Sequence, residues 1–284
     1  MLDHVLELLR CPHCGAGLER VEAVLRCPAA HSFDVARQGY VNLAGGGAGA
    51  ASGDDAAMVA ARVAFLDAGH FAPISAALAA ECAAAPAGGR AAVVDVGAGP
   101  GRHLARVLDT MDGAVGLALD SSAAALRRAA RAHPRIGAVG CDAWQALPVR
   151  DGVAGAVLSV FAPRNGPELA RVLVRGGVLV VITPEPEHLR GLVAGLDLLS
   201  VDARKQERLD ERLGPHFETL REERLEFGLR LSRAEAETLV AMGPSARHLA
   251  AETVRAALAA RPEPLEVSAA VRVSVRRRHS SRCP

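Results

Sequence analysis

At residues 93–101 the sequence reads VVDVGAGPG, an apolar run with one acid that ends in three alternating glycines. Parallel strands that are covered on both faces are almost continuously hydrophobic, so the run predicts a buried strand. Glycines in a strand-to-helix turn let the backbone approach a bound nucleotide closely. The stretch therefore predicts a strand, a tight loop and a helix that begins near Arg102, with a nucleotide-containing cofactor at the loop.

The spacing of these glycines narrows the choice of cofactor. A dinucleotide fingerprint G-x-G-x-x-G starting at Gly97 would need glycine at position 102, where the chain has Arg102. The spacing Asp95-x-Gly97-x-Gly99-x-Gly101 instead resembles the first motif of class I S-adenosylmethionine (SAM) methyltransferases. An ordinary tight turn of an α/β protein contains similar glycines, so other residues have to support the assignment.

The rest of the chain alternates between apolar strands and helices, the pattern of a doubly wound α/β fold with a mostly parallel sheet. A final apolar stretch suits an antiparallel strand at the edge of such a sheet. After the first strand, we predict strands at 115–119, 136–140, 154–161, 177–183, 217–231 and 267–275, and helices at 122–132, 167–173, 234–242 and 250–260.

Two acids end predicted strands at the edge where open α/β sheets bind their ligands. Asp120 ends the second strand, where a carboxylate can accept both ribose hydroxyls of a cofactor. Asp142 follows the third strand, where class I methyltransferases commonly contact adenine. Trp144, two residues later, could pack on the adenine, but we expect it to pack in the core.

The segment after the fourth strand is the candidate pocket for a target base. Phe161 could stack on a flipped base, and Ala162-Pro163 offers a stiff turn with exposed carbonyls before Arg164. Residues 159–165 contain no His or carboxylate that is an obvious general base.

The N-terminal part contains two pairs of potential metal ligands. Cys11 and Cys14 form one pair, and Cys27 and His31 form the second after a hairpin-like stretch. Thiolates and imidazole at this spacing suit tetrahedral Zn²⁺, which would supply much of the folding free energy of so short a segment. The alternative is that these are incidental thiols. Residues 33–43 could tether this unit or present Arg37, Gln38 and Tyr40 to a nucleic acid, and both interpretations stay open.

The length and composition of the 284-residue chain indicate its domain organisation and its cellular location. We expect a zinc-binding unit at 1–43, a Gly/Ala-rich flexible linker at 44–53 and a SAM-dependent methyltransferase domain at 54–284. A net charge of +1 gives no overall basic signature for a nucleic-acid partner. The sequence has no secretory signal and no apolar run of spanning length, so we expect a cytoplasmic protein without a membrane partner.

Several motifs together resemble those of the RlmA-type 23S rRNA (guanine-N1)-methyltransferases, and in detail those of the tylosin-resistance (TlrB-like) branch of that family. The resemblance runs nearly from end to end. Its motifs are Cys-Pro-x-Cys with the later Cys and His, FDVARQGYVNL at 33–43, FLDAGHF at 65–71, VFAPR at 160–164 and TPEPEHL at 183–189.

The resemblance implies a class I fold with a seven-stranded sheet and a small N-terminal zinc ribbon. It implies methyl transfer from SAM to N1 of a guanine, nucleotide 748, in a hairpin loop of 23S rRNA, with resistance to tylosin-type macrolides. It also implies a homodimer whose zinc units help to bind the RNA.

The resemblance also assigns residues. It implies zinc on Cys11, Cys14, Cys27 and His31, and SAM contacts from Gly99, Pro100, Phe71 and His188. The residues around Phe71 and His188 do not by themselves mark a cofactor contact. With the residues of the strand ends, the candidate cofactor site is Phe71, Asp95, Gly97, Gly99, Pro100, Gly101, Asp120, Asp142 and His188.

Two alternatives have to be tested against this interpretation. A class I methyltransferase of small molecules would be active without RNA and indifferent to loss of the zinc unit. A non-catalytic zinc-ribbon protein that binds nucleic acid would fail to bind SAM, although the intact acids and glycines of the candidate site disfavour it.

Overall fold

The computed structural model describes residues 2–44, 53–85, 91–193, 210–243, 246 and 248–279. The predicted linker falls almost wholly on residues 45–52, which lie outside the described part.

The centre of the molecule is a sheet of eight strands in the spatial order β10-β11-β9-β8-β5-β6-β7-β4. This is one strand more than the seven expected, because β4 from the N-terminal unit joins the sheet beside β7. Neighbouring strands from β9 to β4 are parallel, whereas β11 runs antiparallel to both of its neighbours. The strands of this sheet are β4 (Tyr40–Asn42), β5 (Ala92–Val96), β6 (Val115–Asp120), β7 (Ile136–Gly140), β8 (Ala154–Val160), β9 (Leu173–Pro184), β10 (Phe217–Leu231) and β11 (Leu265–Arg278).

Helices cover the sheet, and local capping sets where several of them begin. The Asp55 carboxylate accepts the Met58 N–H at the start of α1, and the Ser122 hydroxyl accepts the Ala125 N–H at the start of α4. The described helices are α1 (Ala56–Asp67), α2 (Ala72–Ala83), α3 (Arg102–Asp109), α4 (Ala123–Ala129), α5 (Gly166–Val172), α6 (Arg190–Val193), α7 (Arg233–Ala241) and α8 (Ala251–Ala259).

The two faces of the sheet are covered differently. One face packs against α1 to α4, α7 and α8 in a single hydrophobic cluster. The other face packs against α5 and against apolar side chains of the N-terminal unit, among them Val5, Leu9 and Leu25. The N-terminal unit therefore takes the place of helices on one face and shares its core with the sheet.

The N-terminal unit contains a small antiparallel sheet of β1 (Glu19–Val21), β2 (Val24–Arg26) and β3 (Ser32–Asp34). Short 3-10 helices precede it, and main-chain hydrogen bonds join the first ten residues to the larger domain. The Arg10 N–H donates to the Pro148 carbonyl over 3.1 Å, and the Arg150 N–H donates to the Leu8 carbonyl over 2.8 Å.

The edge strand β4 forms a second connection between the two parts. Its residues pair in parallel with β7, with Tyr40 opposite Ala138 and Asn42 opposite Gly140. The predicted domain boundary after residue 43 thus directly follows a strand of the larger sheet. Sequence reasoning missed β3 and β4, since each has only three residues and lies in a mostly polar stretch.

Most of the predicted strands are found within a few residues of their expected positions. The strand expected at 177–183 is longer, Leu173–Pro184, because its first residues continue directly from α5. Among the described residues, no single helix is long and apolar enough to cross a membrane; α1 and α2 pass that test only as a pair, which is bent by 79°.

Candidate active site and metal centre

The glycine loop between β5 and α3 lies against the carboxyl end of β8. Gly97 has φ +73°, a left-handed conformation that favours glycine. A Cβ atom on Gly97 would lie 2.5 Å from the Cβ of Ala162, so a side chain has no room at this position. Gly101 also has φ +73°, and a Cβ there would approach Ala129 to 3.2 Å. Glycine is therefore required where the loop meets β8 and α4.

Asp120 connects this loop to the next helix. One carboxylate oxygen accepts the Gly99 N–H over 2.8 Å, and the other accepts the Ser122 N–H over 2.8 Å. Burial raises the pKa of Asp120, and these two N–H donors oppose the rise. Each oxygen retains a lone pair, so the carboxylate can also accept hydrogen bonds from hydroxyl groups of a ligand.

A cavity of about 460 Å³ crosses the carboxyl ends of β5, β6, β7 and β8. It brings together predicted residues from all four strand ends. They are Gly97, Asp120, Asp142, Phe161, Ala162 and Pro163. Gly53, Asp54, Met58 and Arg62 add a wall that sequence reasoning missed, because nothing in the sequence around them marks a ligand contact.

The other predicted cofactor residues do not line this cavity. Gly99, Pro100 and Gly101 continue the loop, and Phe71 and His188 lie beside Phe161. Asp95 is buried in β5, and one of its oxygens has no hydrogen-bond partner among the described residues. Burial, and then the nearby Asp120, raise the pKa of Asp95 to about 7.

The Trp144 side chain corrects one expectation. It is 50% exposed and lines the cavity, so the prediction that it packs in the core is wrong. The guanidinium carbon of Arg212 lies 4.8 Å from the centre of its ring, a cation–π contact. The Asp142 carboxylate accepts the Trp144 N–H over 2.9 Å, which holds this turn beside the cavity.

An aromatic cluster lies where β8 and β9 end. The Phe161 ring centre is 6.5 Å from that of Phe71 and 5.8 Å from that of His188. Phe161 has φ +52°, which costs free energy for a non-glycine residue, and its side chain is 41% exposed. Nδ1 of His188 lies 3.0 Å from the Ala270 carbonyl oxygen, so a proton on Nδ1 would be donated to that oxygen. The cluster joins three elements that are far apart in the sequence.

Arg164 is placed apart from the other three candidate pocket residues and does not line the cavity. Its Nε and Nη2 atoms are buried and have no acceptor within the part of the chain that the structure describes. Burial, and then Arg212 and Arg276, lower the pKa of Arg164 to about 10.

The four predicted metal ligands converge in the N-terminal unit. One ligand atom from each of Cys11, Cys14, Cys27 and His31 lies within 4.8 Å of all the others. His31 Nδ1 is 3.5 Å from Cys11 Sγ and 3.3 Å from Cys27 Sγ, and the Sγ atoms of Cys14 and Cys27 are 3.7 Å apart. Tetrahedral zinc with Zn–S of about 2.3 Å and Zn–N of about 2.0 Å places its ligand atoms roughly 3.5 to 3.8 Å apart. The donor set and its spacing fit Zn²⁺.

The sheet with one reversed strand, the glycine loop and the carboxylate that follows β6 define a class I SAM-dependent methyltransferase fold, here with a zinc ribbon at its N-terminus. The fold is shared with the crystal structure of a candidate methyltransferase from an antibiotic biosynthesis pathway of Anabaena variabilis. That structure has a TM-score of 0.51 at 16% identity, and the match covers 72% of this chain and 96% of the other.

Comparison of sequences gives the family. The RlmA N-terminal zinc-ribbon model matches residues 9–44. The chain is 49% identical to the 23S rRNA (guanine(748)-N(1))-methyltransferase of Streptomyces fradiae, over 97% of this chain and 98% of that protein. It is 51% identical to a candidate 23S rRNA (guanine-N(1)-)-methyltransferase of Micromonospora griseorubida, over 96% of this chain and 98% of that protein. The chain belongs to the 23S rRNA (guanine-N1)-methyltransferase family, as predicted from its motifs.

The predictions of fold class, family and enzyme class are thereby confirmed, together with SAM and zinc as the cofactors of the family. The individual roles of the site residues stay predictions.

Proposed function

We propose that this protein transfers a methyl group from SAM to N1 of guanine 748 in a hairpin loop of 23S rRNA, in the cytoplasm, and so reduces the binding of tylosin-type macrolides. The observation that carries the proposal is the 49% identity, over 97% of this chain, to the Streptomyces fradiae protein named for methylation of guanine 748. A cavity lined by the expected strand ends supports the same reaction.

The residues around the cavity fit SAM. The close contact between Gly97 and Ala162 leaves bare backbone at the loop, and Asp120 can accept the ribose hydroxyls. Asp142 and Trp144 supply a polar group and an aromatic surface for adenine. When bound, SAM supplies an electrophilic methyl group on a positively charged sulfur.

The aromatic cluster fits the target base. Phe161 is exposed at the cavity, so its ring can stack on a guanine that has left its loop. Correct orientation of the acceptor nitrogen supplies much of the rate acceleration in an in-line displacement. The N1 proton must leave as the methyl group arrives, and residues 159–165 hold no His or carboxylate to accept it. The group that accepts the N1 proton therefore comes from another element of the protein or is water.

The zinc unit has the role of RNA recognition in this proposal. Its ligand cluster holds the β1–β3 sheet beside residues 33–43, whose Arg37 side chain is exposed. We further propose a homodimer whose zinc units help to form a cleft for the RNA, as the family resemblance implies.

Primer extension on 23S rRNA tests the proposal directly. Unmodified rRNA is incubated with the protein and SAM, and reverse transcription should stop at guanine 748, because N1-methylguanine cannot form a Watson–Crick pair. Ribosomal RNA with adenine at this position is the matched control and should show no stop. A stop at another nucleotide would contradict the proposed target.

Two results would favour the alternatives. Methyl transfer to small molecules at a normal rate without RNA would support a small-molecule methyltransferase. Absence of SAM binding in calorimetry would support a non-catalytic protein that binds nucleic acid.

A further inference from the structure

Arg62 on α1 lies at the wall of the cofactor cavity. One guanidinium nitrogen, Nη1, forms an ion pair with Asp54, and the other, Nη2, donates to the Met242 carbonyl over 2.7 Å. The Arg62 side chain is 27% exposed. Because a guanidinium carries five N–H groups, these two contacts orient it and leave donors for a further acceptor.

Acidic side chains outnumber basic ones around the cavity. Its described lining includes the acids Asp54, Asp120 and Asp142, and Arg62 is the one Lys or Arg side chain among those residues. An acidic cavity suits SAM, whose sulfonium and ammonium groups outweigh its single carboxylate. That carboxylate must exchange water for protein donors on entering the cavity, and a guanidinium is the strongest partner for it.

The position of Arg62 matches the methionine end of the cofactor. A Cβ atom on Gly99 would lie 3.6 Å from Arg62 Nη1, so the guanidinium stands next to the glycine loop. Adenine is expected at the other side of Asp120, beside Trp144.

We infer that Arg62 binds the α-carboxylate of SAM, and that Asp54 and the Met242 carbonyl hold its guanidinium in position. The inference rests on the proposed SAM-dependent function and adds a cofactor contact from α1, outside the strand ends.

Calorimetry with two ligands tests this contact. Decarboxylated SAM lacks only the carboxylate and keeps the sulfonium, the ammonium and the adenosine. The full-length protein should bind SAM about tenfold more tightly than decarboxylated SAM, a usual effect of a charged hydrogen bond. In the Arg62→Gln variant, the two affinities should agree within about twofold, while the affinity for decarboxylated SAM stays as in the unchanged protein.

Arg102→Gln is the matched control. Arg102 forms an ion pair with Asp67 over 2.8 Å and is 31% exposed, but it lies outside the lining of the cofactor cavity. This variant should keep the preference for SAM. The affinity for decarboxylated SAM also serves as the folding control for Arg62→Gln.

The outcomes separate the inference from the proposed function. If Arg62→Gln reduces the affinity for both ligands equally, or for neither, Arg62 does not bind the carboxylate. The conclusion that the protein binds SAM would be unaffected by that result. If the unchanged protein binds neither ligand, the SAM-dependent function is wrong and the inference falls with it.

Asp54→Asn tests the positioning role. It should reduce the preference for SAM by less than Arg62→Gln does, because the Met242 carbonyl still holds the guanidinium. An equal loss of both ligands would show that Asp54 acts on another part of the cofactor.

Discussion

The zinc cluster and the cofactor cavity are assembled in opposite ways. All four zinc ligands fall between Cys11 and His31, and the residues that bring them together are their close neighbours in the chain. The cavity takes its walls from α1 and from the ends of four strands, between Gly53 and Pro163. A metal ion can organise the first site locally, whereas the second exists only when the whole sheet has formed. Substitutions should therefore affect the two sites separately, although residues of both belong to one hydrophobic cluster.

The largest effect is expected from removal of the metal. The double substitution Cys11→Ser and Cys14→Ser should release zinc and reduce rRNA methylation at least about a hundredfold, because structural zinc supplies about 10 kcal/mol or more to small zinc units. SAM affinity, measured by calorimetry, should change much less. His4→Ala, a histidine of the same unit outside the ligand cluster, should retain zinc and activity, since its side chain is exposed. Equal loss of SAM binding would show that the two sites are not separable.

Gly97→Ala should distort the cofactor cavity and leave zinc binding unchanged. The left-handed backbone costs alanine roughly 1 kcal/mol, and the contact with Ala162 adds a clash, so SAM affinity should fall about a hundredfold. Gly113→Ala is the matched control, with φ +71° and nothing within 4 Å of the new Cβ. Similar SAM affinities for the two variants would disprove the close approach of the loop to β8.

Asp120→Ala should reduce SAM affinity by about thirtyfold, the effect of losing hydrogen bonds to a charged group. The zinc content should be unchanged, because the metal ligands lie in the N-terminal unit. Unchanged affinity in a fluorescence titration of the single tryptophan, Trp144, would remove Asp120 from the cofactor site.

Phe161→Ala should lower kcat/KM for rRNA about tenfold, in line with the loss of one stacked base, and leave the SAM dissociation constant within about twofold. Leu220→Ala is a suitable control, since Leu220 is 46% exposed on β10 and lies outside the cavity. A loss of SAM affinity equal to the loss of activity would place Phe161 in the cofactor site instead of the base pocket.

The last prediction concerns the stability of the fold instead of ligand binding, and it follows from the titration of Asp95. Its pKa is about 7 in the folded protein and ordinarily near 3.8, so the folded state holds a proton that the unfolded state loses in this interval. The free energy of unfolding should therefore fall as pH rises from about 4 to about 7, by up to ~1.4 kcal/mol per pH unit, and this contribution should level off above that range. Asp95→Asn should remove it. Denaturant unfolding at several pH values measures the difference, and equal slopes would contradict the buried, ionisable state.

The same contrast explains what the sequence could predict. The zinc ligands and the strand ends were predictable because ligand spacing and apolar runs are local patterns, and Asp120 and Asp142 follow directly from where strands end. The wall formed by Asp54 and Arg62 was not predictable, since it depends on how α1 packs over the loop. The prediction that Trp144 packs in the core, rather than on the adenine, is wrong, since its side chain lines the cavity and this position depends on how the turn after β7 folds.

The edge strand β4 has a consequence for synthesis of the chain on the ribosome. About a third of the chain separates β4 from its partner β7, so β7 leaves the ribosomal exit tunnel well after β4. The zinc ligands are complete as soon as His31 has emerged, so the metal can organise this unit first. Until β7 emerges, residues Tyr40–Asn42 lack their partner in the larger sheet, and the bridge between Val35 and Val41 holds them to the N-terminal unit. The zinc unit can therefore form before the methyltransferase domain has folded. The pairing of β4 with β7 is then a late, long-range step of folding.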